Sequence, residues 1–136
     1  MRNLGLIFAL FCLSALYVGC SGSGSSKKTA ANQEQIALAD SILSYFQQEQ
    51  FEKIVEHFDD RMKMGLNKEQ LAAVWAQLNV QAGKFTKSEF YNADKVGAAG
   101  DRVVYLCHFG SQKLYFQLVF GKDNRISGLF FKPQPN

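Results

Sequence analysis

Two stretches of alternating apolar and polar residues, 102–109 and 112–120, are separated by Gly110-Ser111 alone. A gap that short makes them an antiparallel hairpin, and glycine in the first central position fits a type II′ turn. Such a turn fixes the register. Phe109 opposes Gln112, Cys107 opposes Leu114, Tyr105 opposes Phe116 and Val103 opposes Leu118. Val103, Tyr105, Cys107, Leu114, Phe116 and Leu118 therefore share one face, and a slip of one residue would turn all of them outward. The rest of the chain must cover that face.

Residues 32–83 carry apolar residues at helical spacing. Ile36, Ala39, Leu43 and Phe46 form one stripe. Phe51, Ile54, Val55, Phe58 and Met62 form a second, with Gly65 placed to end it in a left-handed conformation. Leu66-Asn67-Lys68-Glu69-Gln70-Leu71 reads as a helix start: Asn67 caps, Gln70 reaches back, and Leu66 staples against Leu71. The third stripe, Leu71, Val74, Trp75 and Leu78, ends at Gly83.

Beyond Gly83 the period becomes two. Residues 85–91 read as a strand, 92–100 as a Gly/Ala-containing connection with at most a short strand, and 126–132 as the last strand. The turn Gly121-Lys122-Asp123-Asn124 precedes that strand, and Pro133 and Pro135 stop it. The expected fold is an α+β domain over residues 32–136, with three N-terminal helices packed on one face of a curved antiparallel sheet.

Phe51-Glu52-Lys53-Ile54-Val55, Phe58-Asp59-Asp60-x-Met62, Leu71-x-x-Val74-Trp75-x-x-Leu78 and the terminal Ile126-Ser-Gly-Leu-Phe-Phe-Lys-Pro133 carry a resemblance. They resemble the domain-of-unknown-function 3887 family from about residue 36 to residue 133. The resemblance implies a cone-shaped fold similar to nuclear transport factor 2 or cystatin. The matching residues are packing residues and imply no particular chemistry. Members are often joined to α/β-hydrolase-type domains, for which this chain has no room.

The N-terminus reads as an address. After Met1-Arg2-Asn3, the fifteen residues 4–18 are apolar except Gly5 and Ser14. They are too few for a membrane-crossing helix, which takes about 20, but suit a signal peptide over residues 1–19. Tyr17-Val18-Gly19-Cys20 resembles a bacterial lipobox, with Tyr17 in place of the usual aliphatic residue, and makes Cys20 the expected lipidation site. Residues 20–31 then hold the lipidated cysteine and a Ser/Gly tether. Cys12 leaves with the signal and Cys20 is acylated, so Cys107 stands alone and forms no intramolecular disulfide. Loss of Arg2 leaves fourteen basic against twelve acidic residues, a balance that gives no electrostatic case for nucleic acid.

Signatures of catalysis are missing from the sequence: no G-x-S-x-G, no phosphate-binding glycine loop, no C-x-x-C and no H-E-x-x-H. No catalytic residue, metal site or cofactor is expected, since His57 and His108 lie at ligand spacing from no other strong ligand. Cys107 and His108 are strand neighbours and point to opposite faces, with His108 opposite Lys113. His57, Asp59 and Asp60 crowd one turn, where His57 can touch Asp60 and Asp59 can pair with Lys63 on a solvated helix face. The aromatic load, twelve Phe, five Tyr and one Trp, is the remaining signal. Tyr105, Phe116, Trp75, Phe58 and Phe131 line the space between helices and sheet, which is either a filled core or an apolar ligand pocket.

These features point to a non-catalytic, lipid-anchored protein of the bacterial cell envelope, on the outer membrane or the periplasmic face of the inner membrane. Its domain would bind a partner protein or a small apolar ligand. The competing expectation is a small cavity enzyme of the isomerase, dehydratase or hydrolase kind, using Tyr105 with a carboxylate. A third is an accessory tether for a neighbouring hydrolase.

Overall fold

The computed structural model describes residues 30–135. The signal peptide, Cys20 and the tether as far as residue 29 lie outside the described residues. Four helices precede four strands: α1 (Ala30–Gln47), α2 (Phe51–Glu56), α3 (Asp60–Gly65), α4 (Lys68–Gln81), then β1 (Phe85–Val96), β2 (Gly100–Phe109), β3 (Lys113–Phe120) and β4 (Ile126–Pro133). The strands form one antiparallel sheet in the order β1-β2-β3-β4. The helices cover one face of it, so the α+β class holds with four helices where three were expected. α1 also starts two residues before the expected domain boundary.

The extra helix comes from a break in the second stripe. Residues 57–59 leave the helix to bond with the start of β4: Ile126 N–H donates to the His57 carbonyl and Asp59 N–H to the Ile126 carbonyl, both at 2.9 Å. Asp59 then caps α3, its Oδ1 accepting from Met62 N–H at 2.7 Å. Phe58, at the centre of the break, is fully buried. The apolar spacing survived the interruption, so periodicity alone did not reveal it. Gly65 ends α3 without a left-handed conformation, because Leu66 turns the chain with an extended φ of −145°.

The start of α4 is as expected. Asn67 Oδ1 accepts from Gln70 N–H and Gln70 Oε1 from Asn67 N–H, each at 2.9 Å. Leu71 and Trp75 are buried and Leu78 is partly so, but Val74 is 41% exposed and belongs to the solvent side. Gly83 takes a φ of 82° at the helix-to-strand turn, where a Cβ would lie 2.9 Å from the Gly110 Cα. The hairpin tip docks there: Ser111 donates to the Ala82 carbonyl from its N–H (2.9 Å) and its Oγ (2.8 Å).

The hairpin register is the expected one, pairing Cys107 with Leu114, Tyr105 with Phe116 and Val103 with Leu118. Gly110 does not adopt the positive φ of a type II′ turn. Its tip is shaped by the close approach of Gly83 and the bonds to Ala82. β1 runs to Val96 rather than stopping at Tyr91, because a bulge between Phe90 and Asn92 breaks the alternation without ending the pairing.

Candidate functional site

Of the five aromatic candidates, the structure gathers three around a residue outside that group. Phe46, fully buried on α1, has ring centroids 4.9 Å from Trp75, 5.6 Å from Phe131 and 6.1 Å from Phe116. Phe116 and Phe131 are 5.0 Å apart, as expected for directly opposed residues of β3 and β4. Phe58 is fully buried in the same core, outside the Phe46 ring contacts, with its backbone bridged to Ile126 at the start of β4. Tyr105 lies edge-on to Phe90 at 5.7 Å. The space between helices and sheet is thus occupied by rings. Trp75 borders an open cleft of about 710 Å³, together with Gln47, Phe51 and Lys84.

Tyr105 is 3% exposed and its hydroxyl donates to the Ile36 carbonyl at 3.4 Å. Burial first, and the neighbouring Asp40 carboxylate second, push its phenol well above the ordinary range. The carboxylate that an enzyme would require beside Tyr105 is therefore present. The phenol it faces is held neutral, poorly suited to act as a base.

Cys107 is fully buried, and burial pushes its thiol up to about 12. His108 lies on the other face, opposite Lys113, with Nε2 3.3 Å from Glu89 Oε2. The two form no catalytic pair. The His57–Asp59–Asp60 turn is also dispersed. Asp59 is spent as a cap, and Asp60 pairs with Arg125 at 2.8 Å, the guanidinium holding its carboxyl below the ordinary range. Arg125 also donates to the Phe58 carbonyl from Nε (3.2 Å) and from a terminal nitrogen (2.8 Å). Among the described residues no three His, Cys, Asp or Glu side chains converge on a common point that could hold a metal.

The sheet face turned away from the helices carries what the sequence reading passed over. Tyr91, displaced by the β1 bulge, meets Tyr115 of β3 above the intervening β2, ring centroids 4.9 Å apart. Val104, which the register places on this face opposite Gln117, is only 5% exposed. Phe130 lies over Gly128, where a Cβ would come within 2.9 Å of its ring. Tyr91 is 59% exposed and Phe130 46%. The hairpin register alone assigns Tyr115 to this face, and continued pairing assigns Phe130 to it. The signal was available.

A helix-covered antiparallel sheet with a ring-filled interior and an exposed aromatic face defines an α+β domain. The chain belongs to the DUF3887 family, proteins of unknown function, whose model matches residues 39–129. No curated protein and no solved structure matches it. No helix among the described residues is long and apolar enough to cross a membrane.

Proposed function

We propose that this protein is a non-catalytic binding module of the bacterial cell envelope, anchored by lipid on Cys20. Its outer sheet face would dock a partner protein, on a fold related to the cone-shaped nuclear transport factor 2 group. The observation that carries this reading is the pairing of a filled interior with Tyr91 and Phe130 standing exposed beside Tyr115. Exposed aromatics with an apolar body and a polar tip are the residues protein interfaces favour. A small apolar ligand is supported less well, because the rings around Phe46 occupy the volume it would need.

A photo-crosslinker at Phe130 of the membrane-bound protein tests this, with one at Val80 of α4, 85% exposed, as control. One protein captured from Phe130 but not Val80, and lost with Tyr91→Ser, supports the reading. Equal capture from both positions overturns it. A second reading, a small enzyme using Tyr105 and Asp40, draws on the contact between these two residues. It requires a substrate turnover that Tyr105→Phe abolishes in a folded protein.

A further inference from the structure

The β1 bulge does more than lengthen a strand. Phe90 pairs with Tyr105 and Asn92 with Val104, so Tyr91 between them has no residue opposite it on β2. Tyr115 sits on β3, opposite Leu106 on one side and Lys132 on the other. Two strand spacings of about 4.8 Å separate the backbones of β1 and β3. The rings close that gap by leaning over β2, and their centroids lie 4.9 Å apart at 55°. The phenol ends meet as well: hydrogen bonding with Tyr91 pushes the Tyr115 phenol above its ordinary 10.0. Tyr91 is 59% exposed and Tyr115 partly so, which opens both rings to reagents in solution.

The other tyrosines of the described chain differ. Tyr105 is buried and lies against Phe90, while Tyr45 has Lys53 Nζ 5.4 Å from its ring centroid. Among the described residues neither has a second tyrosine against it. Cys107 and Trp75, which also give up an electron readily, are buried.

A phenol that loses one electron and its O–H proton becomes a phenoxyl radical, with spin on the oxygen and on the ring carbons ortho and para to it. The para carbon carries Cβ, so only the ortho carbons are open. Two such radicals in contact pair their electrons in an ortho–ortho C–C bond. The hydrogen on each joined carbon then shifts to its own oxygen and restores both rings. Together the tyrosines give up two electrons and two protons. One hydrogen peroxide, acting through a haem peroxidase, accepts them and leaves as two waters.

We propose that Tyr91 and Tyr115 are a modification site, joined by one-electron oxidants into a dityrosine bridge between β1 and β3. Both lie on the face proposed for docking, yet the coupling needs no partner and does not depend on that reading. The bridge restrains the chain between residues 91 and 115 in the unfolded state, as a disulfide does. It also fixes the Tyr91 ring in one orientation.

A haem peroxidase with limiting hydrogen peroxide, added to the full chain, tests the proposal by peptide mapping and dityrosine fluorescence. The expected product is a monomer on a denaturing gel. Its peptides containing Tyr91 and Tyr115 should be joined, at a mass two hydrogens below their sum. Tyr91→Phe and Tyr115→Phe keep a ring in place, so the fold is not at stake, and each should cut the yield at least about tenfold. Tyr45→Phe should leave the yield unchanged. Peroxide alone, a two-electron oxidant, should add oxygen to Met64, 83% exposed, and join no tyrosines. Absence of the joined peptide, its persistence in both Phe variants, or covalent dimers in its place would overturn the proposal. Equal coupling by peroxide alone would overturn it too.

Discussion

Cys107 offers the sharpest test of the interior. It lies between Tyr105 and Phe109 along β2, opposite Leu114, and none of its surface is exposed. Burial there disfavours the thiolate and moves the thiol from an ordinary 9.0 to about 12. Alkylation proceeds through the thiolate, so this rise lowers the reactive fraction about a thousandfold near pH 8. Iodoacetamide labelling, read by peptide mapping so that Cys107 is scored apart from Cys12 and Cys20, should be at least that much slower in native protein than in denaturant. The same rise carries a pH signature. Unfolded chains lose this proton from about pH 9 and folded chains only near 12, so the thiol's contribution is complete below 9. It is lost as pH increases between these values, by about 1.4 kcal/mol for each tenfold fall in proton concentration, and Cys107→Ala should lack that slope. Native labelling within about tenfold of the denatured rate would refute the reasoning and open the inner face to solvent.

Other consequences are as direct. Trp75→Ala should cost about 3–5 kcal/mol in urea unfolding, whereas Val74→Ala, one residue away but on the solvent side, should cost under about 1 kcal/mol. Gly100→Ala should destabilise by about 1–3 kcal/mol, because φ is 126° and a Cβ would lie 1.9 Å from the Phe120 carbonyl oxygen. Arg125→Ala should lower the melting temperature near neutral pH by freeing the Phe58 carbonyl and Asp60. The share due to Asp60, whose carboxyl is held low in the folded state, should fade as pH drops below about 4, where unfolded carboxylates already take up protons. Cys20→Ala should abolish lipid attachment, and an intact mass showing unmodified Cys20 in the membrane form would remove the anchor.

What the sequence disclosed follows from where local and tertiary forces agree. The β2–β3 register was legible because a two-residue gap and a period of two impose the same pairing, and the α4 cap because Asn67 and Gln70 satisfy each other within one turn. The break at residues 57–59 was not. Its cause is hydrogen bonding to Ile126, nearly seventy residues away, although Asp59 as a cap residue before Met62 was a local hint. The β1 bulge hid the strand's second half for a similar reason, because one unpaired residue inverts the alternation that identifies a strand. Among the aromatic candidates, residues on one strand face could be grouped by parity. Their meeting point at Phe46 depends on how α1 crosses the sheet, which no period encodes. Gln35 reads as a surface residue in any helical pattern, and its burial follows from its bonds to two distant places, Asp101 at the start of β2 and Asn124 in the turn before β4.

These contacts bear on how a domain of this shape can work. Helices packed on a sheet enclose a ligand only if the space between them is left empty. Here Phe46 occupies that volume, touching Trp75, Phe116 and Phe131, with Phe51 at 6.2 Å. Aromatic contacts of this geometry contribute about 0.5–1.5 kcal/mol each beyond the area they bury. A ligand entering between helices and sheet would have to displace several at once, about 2–6 kcal/mol for the four, a large share of a domain's stability margin of about 5–15 kcal/mol. This cost is why the proposed recognition is placed on the outer sheet face. The tyrosines and Phe130 on the outer face expose apolar surface without losing any core contact. A partner docked there would leave undisturbed the ring cluster that keeps the domain folded.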